Sequence, residues 1–138
     1  MLILVLDGQG GGIGRTLVDI LVKTYPQHMI AAVGTNSAAT ANMLKGNPAF
    51  AATGENAAVF NCSQADIIIG PTGIVMANAM HGEISPKIAA AVTSSRAEII
   101  LIPMNHCRAH IAGVEDKKVS AYLQEALSIL DEILEQAK

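Results

Sequence analysis

The sequence predicts an α/β protein, a three-layer doubly wound parallel sheet, and three observations carry that expectation. Short apolar runs alternate with stretches of helical periodicity along the 138 residues, as in stacked β-α units. The first strand candidate, residues 2–6, is apolar throughout, as strands covered on both faces are. A glycine cluster, DGQGGGIG at 7–14, stands directly behind the first apolar run, where such sheets meet their ligands.

Taken in order, residues 2–6 (LILVL) form the first strand and 13–24 its crossover helix. Residues 29–33 give a second strand and 37–44 a helix. A long loop over 46–56 leads to a weaker third strand at 57–61 (AAVFN). The fourth strand is 66–69 and the fifth 98–102, with a helix expected at 74–80 that ends at Gly82. Ser85-Pro86 opens another helix running to about Ser94, serine capping and proline in the first turn. Residues 110–114 are a candidate short sixth strand at the edge. In the tail, Val119, Leu123, Ala126, Leu130, Ile133 and Ala137 mark one apolar helix face, broadened by Tyr122, Leu127 and Leu134. Five strands in the order 3-2-1-4-5 result, in one domain spanning 1–138. The crevice between strands 1 and 4 then brings together the loop after strand 1 and Gly70-Pro71-Thr72-Gly73 after strand 4.

Composition narrows the function. The chain is 51% hydrophobic and 15% charged, with two Phe, two Tyr, no Trp and a net charge of −3. Few stacking aromatics and an acidic balance argue against nucleic-acid partners. No run approaches the ~20 apolar residues of a membrane span, and the opening MLILVL lacks a basic leader. Two cysteines imply no disulfide framework and a cytoplasmic setting. A mean hydropathy of +0.39 points to apolar surface buried in a homo-oligomer.

Five glycines in eight residues suit a loop that an anionic group approaches closely. The spacing G-x-G-x-x-G fails, because Ile13 stands where the last glycine belongs. The spacing G-x-x-x-G-x-G fits Gly8, Gly12 and Gly14 and resembles the cofactor loop of short-chain dehydrogenases/reductases. Helix amides near Ile13 would then face a pyrophosphate. That family's Tyr-x-x-x-Lys is absent, since Tyr25 precedes Met29 and Tyr122 precedes Ala126 at that distance. So the binding loop carries over and the catalytic pair does not. A degenerate P-loop binding ATP is a second reading, with Thr16 in the magnesium place. It sets Arg15 and Gly10 where lysines belong, and Gly70 where an acid should follow the strand. A third is a turn that holds nothing.

Asp7 either accepts hydrogen bonds from the loop or helps hold a metal, although no second acid lies near it in sequence. At the end of strand 2, Gly34-Thr35-Asn36-Ser37 is neither acidic nor basic. Its donors lean toward a 2′-phosphate, as in NADP, while Asn36 or Ser37 serves equally as a helix cap. Glu55 is either a carboxylate with a task or part of a solvated turn. His81 and Glu83 flank Gly82, as an acid/base pair or as helix punctuation. Met104-Asn105-His106-Cys107 follows strand 5. Cys107, between His106 and Arg108, is a reactive thiolate or an inert core thiol. His106, Cys107 and His110, with Cys62 or His81, fit no standard zinc spacing, so no metal site is assigned.

As a whole the chain resembles a small bacterial family of uncharacterised proteins, through DGQGGGIG, GTN, TGEN, GP-x-GI and a final acidic helix. The resemblance covers essentially the full length and implies a Rossmann-like fold without an activity. The expected site is therefore a nucleotide-cofactor site, NAD(P), formed by Gly8, Gln9, Gly10, Gly11, Gly12, Ile13, Gly14, Thr35, Asn36, Gly70, Pro71 and Thr72. No separate substrate domain is expected in these 138 residues, so a catalyst would build its substrate site from 46–56 and 104–110 or borrow it from a neighbouring subunit. A non-catalytic sensor of a nucleotide or small anion is the rival.

Overall fold

The computed structural model describes residues 1–104 and 108–138. Five strands, β1 (Leu2–Asp7), β2 (Met29–Gly34), β3 (Phe50–Thr53), β4 (Ile67–Pro71) and β5 (Glu98–Ile102), form one sheet in the order β3-β2-β1-β4-β5. Every pairing is parallel, with Val5 of β1 opposite Ala32 on one side and Ile69 on the other. The predicted order is the observed one.

Because both faces are covered, β1 reads as an unbroken apolar run, and Ile3, Leu4, Val5 and Leu6 are all fully buried. Alternate residues serve different layers. Ile3 and Val5 pack with Leu17, Val18 and Leu21 of α1 (Gly12–Thr24), Met43 of α2 (Ser37–Leu44) and Leu123, Ala126 and Leu130 of α5 (Val119–Gln136). Leu4 and Leu6 pack with Ala58 and Cys62 of α3 (Glu55–Gln64) and Ile88 and Val92 of α4 (Pro86–Thr93). At ~1.5–3 kcal/mol for each large side chain removed from water, these two layers hold the helices on both faces of the sheet. The helix starts follow the sequence signals. Asn36 caps α2 by accepting the Ala39 N–H at 2.8 Å, and Ser85 caps α4 ahead of Pro86. The tail stripe becomes α5, which packs on β5. No helix among the described residues is long and apolar enough to cross a membrane.

Three expectations are corrected. Residues 57–61 lie inside α3 and are not a strand; the third strand is Phe50–Thr53, paired with β2 from Ala31↔Phe50 to Gly34↔Thr53. Residues 46–56 are consequently no long loop, and Gly54 and Glu55 follow β3 instead of preceding it. Beyond β4 the helix expected at 74–80 is a single 3-10 turn, Thr72–Val75, that passes into irregular turns. Residues 110–114 contain a turn and no strand. The physical reason is shared in the first two cases. Short alanine-rich or apolar runs carry no period that separates strand from helix.

Candidate functional site

The carboxyl ends of β1, β2 and β4 meet at one edge, and the glycine turn lies across them. Its shape is set by a carboxylate. Asp7, the last residue of β1, is buried and accepts the Gly8 N–H at 2.8 Å and the Gly14 N–H at 2.7 Å. Burial pushes its carboxyl above the usual range; the two amides pull the other way, and the nearby Glu83 charge adds to the rise. Asp7 is thus a staple of the turn, the first of the two roles its position allows. Gly11 N–H closes the turn on the Gly8 carbonyl at 2.9 Å. Gly11 itself sits at φ 71°, and a Cβ there would lie 2.8 Å from the Ala39 carbonyl oxygen, so the position requires glycine.

The five glycines divide into two groups. A Cβ on Gly8, Gly11 or Gly14 would collide with Thr35, Ala39 or Met43 respectively. These three are explained by close packing of strand, helix and connector. Gly10 and Gly12 are exposed, and a Cβ on either would meet nothing within 4 Å. Internal packing does not explain them. The N–H groups of Gly10, Gly12 and Ile13 have no hydrogen-bond partner among the described residues, and the last two open the 13-residue helix α1.

The turn that carries those amides lines a cavity of about 840 Å³ between itself and the segment after β4. Asp7, Gly8, Gln9, Gly10, Gly11, Gly12, Ile13 and Pro71 line it, together with Gly73, residues 76–81, Met104 and Arg108. Of the expected site residues, Gly8 to Ile13 and Pro71 lie on this cavity, and the segment after β4 supplies the opposite wall. The segment after β4 folds back on itself through Asn78 N–H to the Ile84 carbonyl and Ile84 N–H to the Ala79 carbonyl. Asn78, Met80 and His81 adopt positive φ, as does Gly82, and Ile84 is fully buried. No sequence period reports such a shape.

The other expected site residues stand elsewhere. Gly14 is buried beneath the turn, and Gly70 lies within β4 against Leu6. Thr72 is buried, donates to the Ile102 carbonyl and accepts the Met104 N–H at 3.1 Å, joining the ends of β4 and β5. Thr35 and Asn36 both reach Glu83, which descends from the segment after β4. Its Oε1 accepts the Thr35 hydroxyl at 2.7 Å, the Asn36 amide at 2.7 Å and the Gln9 N–H at 2.8 Å. Partial burial opposes ionisation of Glu83, but those three donors, helped by His81, hold its carboxyl below the usual range.

Several other candidates are held by contacts within the fold. Glu55 opens α3 and accepts the hydroxyl of Ser85 at 2.5 Å, tying the starts of α3 and α4 together. Arg15 is engaged by Asp19 at 3.1 Å and by Asn42, and Thr16 donates to the Gly12 carbonyl at 3.0 Å. Cys62 is buried in α3, and burial pushes its thiol up to about 11. His106 and Cys107 lie outside the described residues, and His110 is exposed.

No curated protein matches the chain. One family model, described as a domain of unknown function (DUF3842), matches residues 2–135. With nearly its whole length matched, the chain belongs to that family.

Proposed function

We propose that the protein binds a phosphate-bearing nucleotide cofactor of the NAD(P) class, its phosphates resting on the amides of Gly10, Gly12 and Ile13. One observation carries this: Gly10 and Gly12 are glycines with open space above them and unbonded N–H groups. Glycine costs backbone entropy on folding, so two positions without a packing reason point to a group that approaches from outside. Three further features support the same ligand. The N-terminus of α1 adds a positive dipole end, and Arg108 and His81 bring cationic or ionisable groups to the cavity wall. The cavity volume of about 840 Å³ suits a small-molecule site. A P-loop arrangement has less support, since Arg15 is committed to Asp19 and Asn42.

A non-catalytic sensor is the second reading. Among the described lining residues, Asp7 is already bonded to two amides, which leaves His81 as the group best suited to proton transfer. Turnover of cofactor with candidate substrates favours an enzyme; binding without turnover favours the sensor. Homo-oligomerisation belongs to this proposal as well, through exposed Phe50 at the sheet edge and Phe60 on α3, and light scattering with and without nucleotide measures it.

Thermal unfolding with NAD(H), NADP(H), Mg-ATP and coenzyme A tests the proposal. A ligand at ~100 times its Kd stabilises by about 2.7 kcal/mol, a midpoint rise of roughly 8–15 °C for a chain of this size. If no nucleotide moves the midpoint, the proposal is wrong.

A further inference from the structure

Dinucleotide-binding sheets commonly choose their cofactor at the end of the second strand, where an acid grips the free hydroxyls of the adenosine ribose. Here β2 ends at Gly34, and neither Thr35 nor Asn36 is acidic. The carboxylate arrives instead from Glu83, 48 residues beyond Thr35. We propose that Glu83 is the specificity-determining residue of the site and selects a nucleotide with a free 2′-hydroxyl, NAD-like, over a 2′-phosphorylated one. The inference rests on the nucleotide reading of the glycine turn.

The geometry supplies both halves of a selector. Through Oε1 alone, Glu83 takes the donors of Thr35, Asn36 and the Gln9 backbone. Those are the groups that a 2′-phosphate would need, and all are already used. The second oxygen, Oε2, accepts no hydrogen bond from the described residues. Glu83 stands outside the cavity lining but is bonded to Gln9, which lines it, and Oε2 is the acceptor this arrangement offers to ribose hydroxyl protons. A 2′-phosphate would instead meet a fixed negative charge, with buried Asp7 behind it. Rejection by an introduced repulsion as well as attraction to the favoured ligand is the usual route to selectivity. The lean toward NADP that the donors of Thr35 and Asn36 suggest in the sequence is therefore reversed by a residue distant in sequence.

Position is also defended. Three bonds hold the carboxylate, and Gly8 has no side chain to displace it; a Cβ there would lie 3.1 Å from Oε1. Fully buried Ile84 anchors the next residue in the core.

Calorimetric titration of the whole chain with NAD and with NADP, for the wild type and for Glu83→Gln, decides the matter. The glutamine keeps an oxygen for Gln9 and Thr35 and removes the charge. Wild type is expected to bind NAD at least about tenfold more tightly than NADP. In Glu83→Gln the NAD affinity falls and the ratio closes to within about threefold. Wild type that binds both dinucleotides equally overturns the inference and leaves nucleotide binding standing. A variant that binds both more tightly also overturns it, because Glu83 is then a plug over the site. Wild type that binds neither dinucleotide ends the nucleotide reading and this inference together. The wild-type ratio needs no variant, so a poorly folding Glu83→Gln protein does not shield the proposal.

Discussion

The carboxylate of Asp7, a buried residue at the floor of the turn, reaches across seven residues to the N–H of Gly14 at 2.7 Å. This bond, with the one to Gly8, converts a glycine-rich stretch that would be mobile into a fixed turn under the helix. Asp7→Asn retains one acceptor and points an NH₂ at a second donor, leaving a buried N–H unpaired. The expected loss is about 1–3 kcal/mol, a midpoint fall of roughly 3–12 °C by calorimetry. An unchanged midpoint would show that the turn does not depend on Asp7.

A second fixed point lies at the opposite end of the sheet. The Tyr25 hydroxyl, just past α1, donates to Asp131 of α5 at 2.5 Å, with the ring buried. Burial first, then the hydrogen bond to Asp131 and its charge, raise the phenol above its ordinary range, so it stays a donor at neutral pH. Tyr25→Phe is expected to lower stability by about 1–2 kcal/mol while nucleotide affinity is unchanged, since the bond lies far from the glycine turn. Denaturant unfolding and titration of the same preparation check both halves.

How much of this was legible follows from the physics of each element. β1, β4 and β5 are runs of Ile, Leu and Val, and β-branched apolar runs between turn signals are strands in most contexts. α3 misled because AAVFN at 57–61 has a strand-like density of apolar groups. Its buried residues, Ala58, Asn61 and Cys62, follow a helical spacing that includes a polar member. The glycine turn announced itself because glycine is costly where nothing requires it. Glu83 did not. Its partners Gln9 and Thr35 lie 74 and 48 residues away, and the turns that aim it rest on positive φ at Asn78, Met80 and His81, which residue type does not reveal. The local sequence at the end of β2, Gly34-Thr35-Asn36-Ser37, holds no carboxylate.

The Glu83 contacts carry a pH signature. A carboxyl held below its usual range contributes stability that is fully present above the unfolded value, about 4.3, and is lost as the pH falls through the folded value. The midpoint difference between wild type and Glu83→Gln is therefore expected to be steady from about pH 5.5 to 8 and to shrink toward pH 3. Asp7, raised by burial, trends oppositely, but it is present in both proteins and largely cancels in the difference. A gap that widens on acidification would contradict the three-donor arrangement. Differential scanning calorimetry across the series gives the answer.

The division of the glycines makes the sharpest test, because two neighbouring positions should fail in opposite ways. Gly11→Ala forces a side chain into positive φ and against the Ala39 carbonyl. It should cost at least about 2 kcal/mol and lower the midpoint by roughly 6–10 °C. The Cβ of Gly12→Asp meets nothing within 4 Å, and its carboxylate sets a negative charge in the first turn of α1, where it favours the helix by about 0.3–1 kcal/mol. Its midpoint should hold or rise slightly. Yet that carboxylate would occupy the space above the free amides and repel a phosphate, so the nucleotide-induced midpoint shift should vanish. If Gly12→Asp keeps its fold and still responds to nucleotide, the phosphates rest elsewhere and the open glycines at 10 and 12 have some other cause. If it neither binds nor loses stability, the amides are identified as the anion site by a substitution that the fold itself does not feel.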